Sequence, residues 1–254
     1  HQRSPLTPRD KAFRVAAIAG ALGLVALALA YTAGWLPPRT LSPSAIVDTQ
    51  QSGGIHAGFR RAHAKGLCLA GTFTSSGGLA GLSKAGVFAA GSVPVTGRLS
   101  TAGANPTAPD SASPVRSLAL QFQLPDGQQW RTAMNTPPVL PVGTPEKFHR
   151  QLQALAPDPA TGKPDPARVA AFAAAHPEMA AFRAWADAAP FTDSFATDTY
   201  HSVNAFVFVD GEGREQPVRW TMRPLAPVAT LDKAARDALP TDYLQRELER
   251  RLQQ

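Results

Sequence analysis

Three short runs contain the residue types in this chain that are best suited to chemistry. They are Arg60 with the run from His63 to Gly66, the run from Arg98 to Thr101, and the run from Asn135 to Pro138. Histidine titrates close to neutral pH and can therefore take up and return a proton, and a bonded hydroxyl can fix its tautomer. The arginine guanidinium group matches a carboxylate in geometry. These residue types indicate proton transfer beside an anionic group.

In this order, the three runs resemble the distal haem face of the catalase family. The resemblance covers roughly residues 55–223 in separated blocks, and the blocks at 161–165 and 200–206 look like the smaller peroxidase branch of the family. It implies a catalase-related peroxidase that contains haem b and reduces hydrogen peroxide with a small organic electron donor. Peroxidase activity is expected to exceed catalase activity.

The resemblance also implies a role for each candidate site residue. His63 would be the base that moves a proton between the two peroxide oxygens, and Ser100 would orient its imidazole. Asn135 would donate a hydrogen bond to peroxide. If the alignment with the family is moved by one residue, Met134 takes the place of this asparagine, and its thioether cannot donate a hydrogen bond. No residue is predicted to ligate a metal ion directly. The residues expected to contact the haem are Arg60, Arg98 and Phe148.

Members of the family bind haem iron through a tyrosinate in a C-terminal helix. Neither Tyr200 nor Tyr243 lies in such a motif, and Tyr31 belongs to the N-terminal apolar run. We therefore expect the chain to be a C-terminally incomplete part of a longer protein. On this expectation the chain alone would be inactive because its proximal ligand is missing.

Short apolar stretches separated by turn residues predict strands. Asp126-Gly127 predicts a hairpin, because these residues tolerate the positive φ of a tight turn, and 202–222 predicts a second one. Prolines at first helical positions predict helices that begin at Pro145 and Pro166. Together with the resemblance, this pattern indicates an α+β fold, a catalase-like antiparallel β-barrel with inserted helices. The predicted strands are at 67–73, 93–99, 117–124 and around Trp130.

The N-terminal part contains an apolar run that predicts one transmembrane helix at 13–36. No charged residue occurs from Val15 to Ala30, and the run is long enough to span a bilayer. Basic residues precede it, which places residues 1–12 in the cytoplasm and the domain on the periplasmic side of the inner membrane. A cleaved signal peptide is the alternative, since Ala28-Leu29-Ala30 has the form of a cleavage site.

The remaining chain divides into three predicted segments. Residues 37–54 are rich in Pro, Ser and Gly, have no apolar periodicity, and are predicted to be a tether from the membrane. Residues 55–225 would form the haem-binding barrel domain, and residues 226–254 would begin an incomplete helical region. Hydrophobic residues make up 44% of the 254 residues and charged ones 17%, which is typical of a packed globule.

Composition also excludes some functions. The net charge of +6 is accompanied by no basic helix interleaved with aromatics and by no zinc spacing, so nucleic-acid binding is not predicted. The single cysteine, Cys68, excludes an intrachain disulfide. Two other functions stay open. One is a non-catalytic exported barrel that binds a small apolar ligand or a partner; the other is haem-dependent rearrangement of organic hydroperoxides, as in the allene oxide synthases that share the fold. The sequence leaves the electron donor and the oligomeric state undetermined.

Overall fold

The structure is a computed structural model that describes residues 7–36 and 41–254. It comprises two compact units, His1–Ile46 and Val47–Gln254. In the first unit, helix α1 (Pro8–Thr32) begins before the predicted start at residue 13, because Thr7 and Asp10 form a reciprocal capping box ahead of Pro8. It ends at Thr32, before the predicted end at residue 36. Gly34, two residues after the helix, has a φ of +72°, which is typical of a helix C-terminus.

Helix α1 is the one helix among the described residues that is long and apolar enough to cross a membrane. It has 25 residues, and its most apolar stretch has a mean hydropathy of 2.1. A membrane span and a signal sequence both have this length and composition. The structure is therefore consistent with both readings of the N-terminal segment.

The segment expected to be a tether contains a helix, α2 (Pro43–Gln50), followed by a short 3₁₀ turn at Gln51–Gly53. Ser42 Oγ accepts a hydrogen bond from the Ala45 amide at 3.2 Å, and Pro43 occupies the first helical position. Serine and proline are common in linkers but also in helix starts, so composition alone does not predict this helix. Residues 37–40 of the expected tether lie outside the described residues.

The second unit is built on an antiparallel six-stranded sheet that curls as a half-barrel. The predicted hairpins are confirmed: Gly127 (φ +84°) turns between the third and fourth strands, and Gly213 (φ +83°) turns within a separate two-stranded hairpin. The sheet order is β1 (Gly66–Ser75), β2 (Gly91–Thr101), β3 (Arg116–Gln123), β4 (Gln129–Asn135), β5 (Tyr200–His201) and β8 (Thr221–Met222), and the separate hairpin is β6 (Phe206–Val209) with β7 (Glu215–Val218).

Three helices are inserted between β4 and β5, as the α+β prediction requires. They are α3 (Pro145–Leu155), α4 (Pro166–Ala175) and α5 (Ala180–Ala188). Both predicted starts are confirmed, since Thr144 and Asp165 accept hydrogen bonds from the first turns at 3.3 and 2.9 Å. The chain continues through α6 (Lys233–Asp237) and α7 (Tyr243–Leu252).

The core joins α7 to the sheet. Leu244 and Leu248 pack in one buried cluster with Leu99 and Met134. This packing places residues 226–254 in the same compact unit as the sheet, in contrast to the boundary expected near residue 225. The physical reason is the narrow apolar stripe of α7, which is buried against the sheet.

Candidate active site

The sheet presents two chemically different faces because side chains alternate along each strand. One face is apolar and packs on the core. The other is made of small and polar residues and is largely exposed. The core face includes Leu67, Leu99, Leu118 and Met134, and the opposite face includes Cys68, Arg98, Ser100, Ala119, Ala133 and Asn135.

A row of directly paired residues crosses the end of the open face. It runs from Gly66 through Ser100, Ser117 and Asn135 to His201. Neighbouring strands lie about 4.8 Å apart, so Ser100 and Asn135, two strands apart, are roughly 10 Å apart on the same face. The amide of Asn135 is thus on the face of Ser100.

The neighbouring residue, Met134, lies on the core face with only 1% of its surface exposed. The one-residue shift left open by the sequence would therefore put a buried thioether in the position of the amide. Asn135 itself is half-buried, and its Oδ1 accepts a hydrogen bond from Ser117 Oγ. The Asn135 Nδ2 group is the donor that this bond leaves for another partner.

His63 and Ser100 are in direct contact. Ser100 Oγ lies 3.2 Å from Nδ1 of the imidazole, and the serine is 3% exposed. When Nδ1 carries the hydrogen and donates it to this oxygen, Nε2 keeps a free lone pair that can accept a proton. The pair can therefore act as an oriented base.

The backbone of His63 is in the left-handed region, with a φ of +53°. A non-glycine residue there is uncommon and is held only when its surroundings determine it. Arg98 Nη2 donates to the His63 carbonyl oxygen at 2.8 Å, and the next amide, that of Ala64, donates to the carbonyl of Gly103 at 3.0 Å. These two bonds fasten the residues just before β1, 60–65, to the end of β2. This segment is called the His63 loop below.

A second set of contacts fastens the same loop to α7. Lys65 Nζ lies 2.7 Å from Asp110 Oδ1 and donates to the Thr241 carbonyl oxygen at 2.5 Å. Asp110 Oδ2 in turn accepts a hydrogen bond from the Leu244 amide at 3.0 Å. Sequence reasoning did not assign Lys65 a role, and its place two residues after His63 was the available signal.

Burial and charge keep the imidazole neutral. Burial lowers the pKa of His63 from its usual value, and the positive charges of Arg98 and Arg60 lower it further. A neutral imidazole is the form that can accept a proton. The electrostatics of the site therefore suit a general base.

Two cavities flank the His63 loop, and they share no lining residue. The sheet-face cavity, of about 670 Å³, lies over the open face of the sheet. The His63 cavity, of about 560 Å³, lies between the His63 loop, the end of α2 and α3, and Phe148 and Arg61 are among its lining residues. The sheet-face cavity is lined by residues that include Arg60, Cys68, Arg98, Ala119, Arg131 and Ala133.

The six candidate residues are thus brought together to different degrees. His63, Ser100 and Arg98 are in contact. Arg60 shares the sheet-face cavity with Arg98, and Phe148 shares the His63 cavity with His63. Asn135 stands in the row of Ser100, two strands away. Among residues 7–36 and 41–254, no group of three or more His, Cys, Asp or Glu side chains could hold a metal ion.

The two tyrosines of the second unit are buried away from the sheet-face cavity. Tyr200 OH donates to the Phe195 carbonyl oxygen at 2.9 Å, and Tyr243 OH accepts from Arg116 Nη2 at 2.7 Å. Burial is the main cause that raises the pKa of both phenols, that of Tyr243 to about 12. Both phenols therefore stay protonated at neutral pH and are unsuited to ligate iron as tyrosinates.

Arg116 is the centre of a buried network that the sequence did not reveal. Its guanidinium donates to Asp198 Oδ2 at 3.1 Å and to the Thr192 carbonyl oxygen at 2.8 Å, and it lies 4.8 Å from the centre of the Phe191 ring. The network ties β3 to the segment before β5. Its partners are more than seventy residues away along the chain, so local sequence patterns could not identify them.

The sequence and the fold match a known family of enzymes. The family profile of catalase matches residues 57–254, and the chain belongs to the catalase family. A catalase-related peroxidase of Synechococcus elongatus is 36% identical over 242 residues, which are 95% of this chain and 70% of the relative. A catalase-related peroxidase of Mycolicibacterium paratuberculosis is 33% identical over 215 residues, 84% of this chain and 67% of the relative.

Solved structures agree in fold. A bacterial catalase superposes with a TM-score of 0.71 at 18% identity, over 85% of this chain and 43% of the catalase. A fungal catalase gives 0.68 at 18% identity, over 76% of this chain and 40% of the catalase. The chain thus spans less than half the length of these two catalases. Family membership supports an oxidoreductase that acts on peroxide.

Proposed function

We propose that the protein is a haem-dependent peroxidase that reduces hydrogen peroxide with a small organic electron donor and has weak catalase activity. The observation that carries the proposal is the imidazole of His63, bonded to Ser100 at 3.2 Å with a lowered pKa. The names of its relatives, catalase-related peroxidases, agree with this function.

Haem b is the cofactor that this function requires, and the sheet-face cavity fits it. Cys68, Ala119 and Ala133 have small side chains that let a flat group approach the strands. The volume of about 670 Å³ lies within the range of roughly 300–1,000 Å³ for ligand pockets. Arg60 and Arg98 would pair with the two propionates, since guanidinium donors match carboxylate oxygens.

The bound haem would supply the redox centre at which the O–O bond breaks. His63 would take the proton from one peroxide oxygen at Nε2 and return it to the other oxygen, which leaves as water. Ser100 would hold the ring through Nδ1 during both transfers. The Asn135 amide would donate a hydrogen bond to the peroxide, and Phe148, which the resemblance assigns to haem contact, would pack near the haem from the His63 cavity.

The proposed location of the enzyme is the inner membrane. Helix α1 would be a single span with its N-terminus in the cytoplasm, because Arg9, Lys11 and Arg14 lie at that end. The catalytic unit would then face the periplasm. Protease treatment of spheroplasts should degrade residues 47–254; their survival until the membrane is lysed would contradict this orientation.

The function is tested with the full-length protein supplied with haem. We expect a Soret band and turnover of hydrogen peroxide with a phenolic donor. His63→Ala should keep the Soret band and lose about 10²–10⁴ in kcat/KM, the usual contribution of a general base. A colourless preparation in excess haem, or full turnover by the alanine variant, would overturn the proposal.

A further inference from the structure

Another cavity of the second unit lies among aromatic side chains, and it is called the aromatic cavity below. Its volume is about 540 Å³, which is within the range of roughly 300–1,000 Å³ for ligand pockets. Phe206 stacks on the Trp220 indole with the ring centres 4.7 Å apart, and the Trp130 indole lies 5.1 Å from that of Trp220. Five aromatic residues line the cavity: Phe88, Trp130, Phe206, Phe208 and Trp220.

The rings of this cavity extend from the core to the surface. Phe88 is 6% exposed and belongs to a buried cluster with Phe122, whereas Phe206 is 43% exposed. Trp130 and Trp220 are half-buried. Rings that only stabilised the core would be enclosed by their neighbours. These rings instead leave faces and edges open to a flat aromatic molecule, and such ring pairs are favourable in stacked and edge-on geometry.

The cavity also has polar lining residues, and they narrow the ligand class. They are Ser83, Lys84 and Gln128. Lys84 is exposed, and its amide donates to the Val209 carbonyl oxygen at 2.8 Å, which holds this lysine beside the hairpin of β6 and β7. Hydroxyl and amide groups can hydrogen-bond a phenol, and an ammonium group attracts an anion. The lining therefore suits a phenol, above all one that carries a carboxylate.

The aromatic cavity and the sheet-face cavity are connected through Thr132. The two cavities share no lining residue. Trp220 Nε1 donates to Thr132 Oγ1 at 3.0 Å, and Thr132 is one of the residues that line the sheet-face cavity. The Trp220 indole is thus bonded to the wall of the cavity that suits haem, while its ring lines the cavity that suits a phenol.

We infer that the aromatic cavity binds the phenolic electron donor and that Trp220 passes the electrons of this donor to the haem. The inference rests on the proposed function, because haem must be the group that receives the electrons. It goes beyond that function by assigning the donor a binding site of its own. An indole is electron-rich and loses one electron more easily than a phenyl ring, so Trp220 suits this role better than the phenylalanines around it.

The electron transfers balance with hydrogen peroxide as the oxidant. Trp220 gives one electron to the haem and regains one from a phenol in the aromatic cavity. The phenol releases its hydroxyl proton to water and leaves as a phenoxyl radical. Two phenols supply the two electrons and two protons with which one hydrogen peroxide becomes two waters. The donor therefore needs no access to the cavity that contains His63.

The first test measures binding without peroxide. 4-Hydroxybenzoate should bind the full-length protein loaded with haem, as measured by equilibrium dialysis. Ala85→Phe fills the aromatic cavity and should abolish this binding. Lys84→Gln should weaken it about twofold to fivefold, as expected for an exposed ion pair, and should affect binding of the uncharged 4-cresol less. The matched controls Ala174→Phe and Lys163→Gln change exposed residues outside the cavity and should bind 4-hydroxybenzoate as the wild type does.

The second test detects the indole radical. Wild-type full-length protein with haem and one equivalent of hydrogen peroxide, without donor, should show a tryptophan radical in its EPR spectrum, and 4-hydroxybenzoate should remove this signal. Trp220→Phe should lose the signal and most of the kcat/KM for oxidation of 4-hydroxybenzoate. Trp185→Phe is the matched control, because Trp185 lies on α5 and lines neither cavity. It should keep both the signal and the rate.

The outcomes separate the inference from the proposed function. Rates are compared per bound haem, from the Soret intensity, so that a lower rate in Trp220→Phe does not reflect lost cofactor. If the wild type turns over hydrogen peroxide but Trp220→Phe keeps the radical signal or the wild-type rate, the inference fails and the proposed function stands. Wild-type binding of 4-hydroxybenzoate by Ala85→Phe also overturns the inference. A colourless protein without peroxide turnover contradicts the proposed function itself.

Discussion

Replacing Ser100 with alanine removes the hydroxyl that lies 3.2 Å from Nδ1 of His63. A hydrogen bond between neutral groups contributes about 0.5–1.5 kcal/mol, and 1.4 kcal/mol corresponds to about tenfold in rate. Because 3.2 Å is at the long end for an O–H or N–H bond, the lower part of that range applies. We expect kcat/KM for hydrogen peroxide to fall about twofold to fivefold.

The measurement is stopped-flow peroxide consumption by the haem-loaded full-length protein at limiting peroxide. Ser100 acts on the reaction through His63 alone, so the serine substitution should have no further effect in a His63→Ala background. Thr101→Val is the matched control, because it removes a buried hydroxyl from the next residue, which faces the opposite side of β2. It should leave the rate unchanged.

Two results would refute this reasoning about Ser100. One is a wild-type rate for Ser100→Ala, which would mean that the 3.2 Å contact does not orient the imidazole during turnover. The other is an equal fall in rate whether or not His63 is present, which would mean that Ser100 acts on haem binding or on folding. Soret intensity of each variant separates the second case from a direct effect on peroxide.

Three further predictions concern charge and packing. Burial, Arg98 and Arg60 lower the pKa of the His63 imidazole, so Arg60→Gln should raise that pKa. Activity requires the neutral imidazole. In a pH profile, the Arg60→Gln variant should therefore lose activity at a higher pH than the wild type as the solution is acidified. Arg116→Met leaves the buried Asp198 unpaired and should cost about 3–5 kcal/mol in urea unfolding, part of which Asp198→Asn should restore. Leu244→Ala removes a core side chain that is 1% exposed and should cost about 2–5 kcal/mol in the same assay.

Local chemistry explains why much of the fold could be predicted. Gly127 and Gly213 have positive φ in the structure, and the Asp-Gly pairs at 126–127 and 210–211 mark the two turns directly in the sequence. Thr144 and Asp165 cap the helices that begin at Pro145 and Pro166. Each of these turn and capping signals depends on a few neighbouring residues, so a short stretch of sequence is enough to recognise it.

Long-range packing explains what could not be predicted. Residues 226–254 were expected to begin an incomplete helical region, but the sequence did not reveal that Leu248 of α7 is buried against Leu99 of β2, a contact between residues far apart in sequence. Helix α2 was missed for another reason. Serine and proline are typical of a linker in composition, but a serine directly followed by a proline is also typical of a helix start. In the structure, Ser42 caps the helix that begins at Pro43.

The candidate site depends both on residue types that the sequence shows and on long-range contacts that it does not show. Arg98 is an example. Its residue type indicates a carboxylate partner, and it lines the cavity suited to haem. Its Nη2 also donates to the carbonyl of His63, whose φ of +53° needs such support. Removing Arg98 would therefore weaken cofactor binding and release the base together, so loss of activity in that variant cannot assign it either role. The hydroxyl of Ser100 hydrogen-bonds to the imidazole, and Ser100 lines neither cavity, which makes the serine variants the more discriminating test of the site.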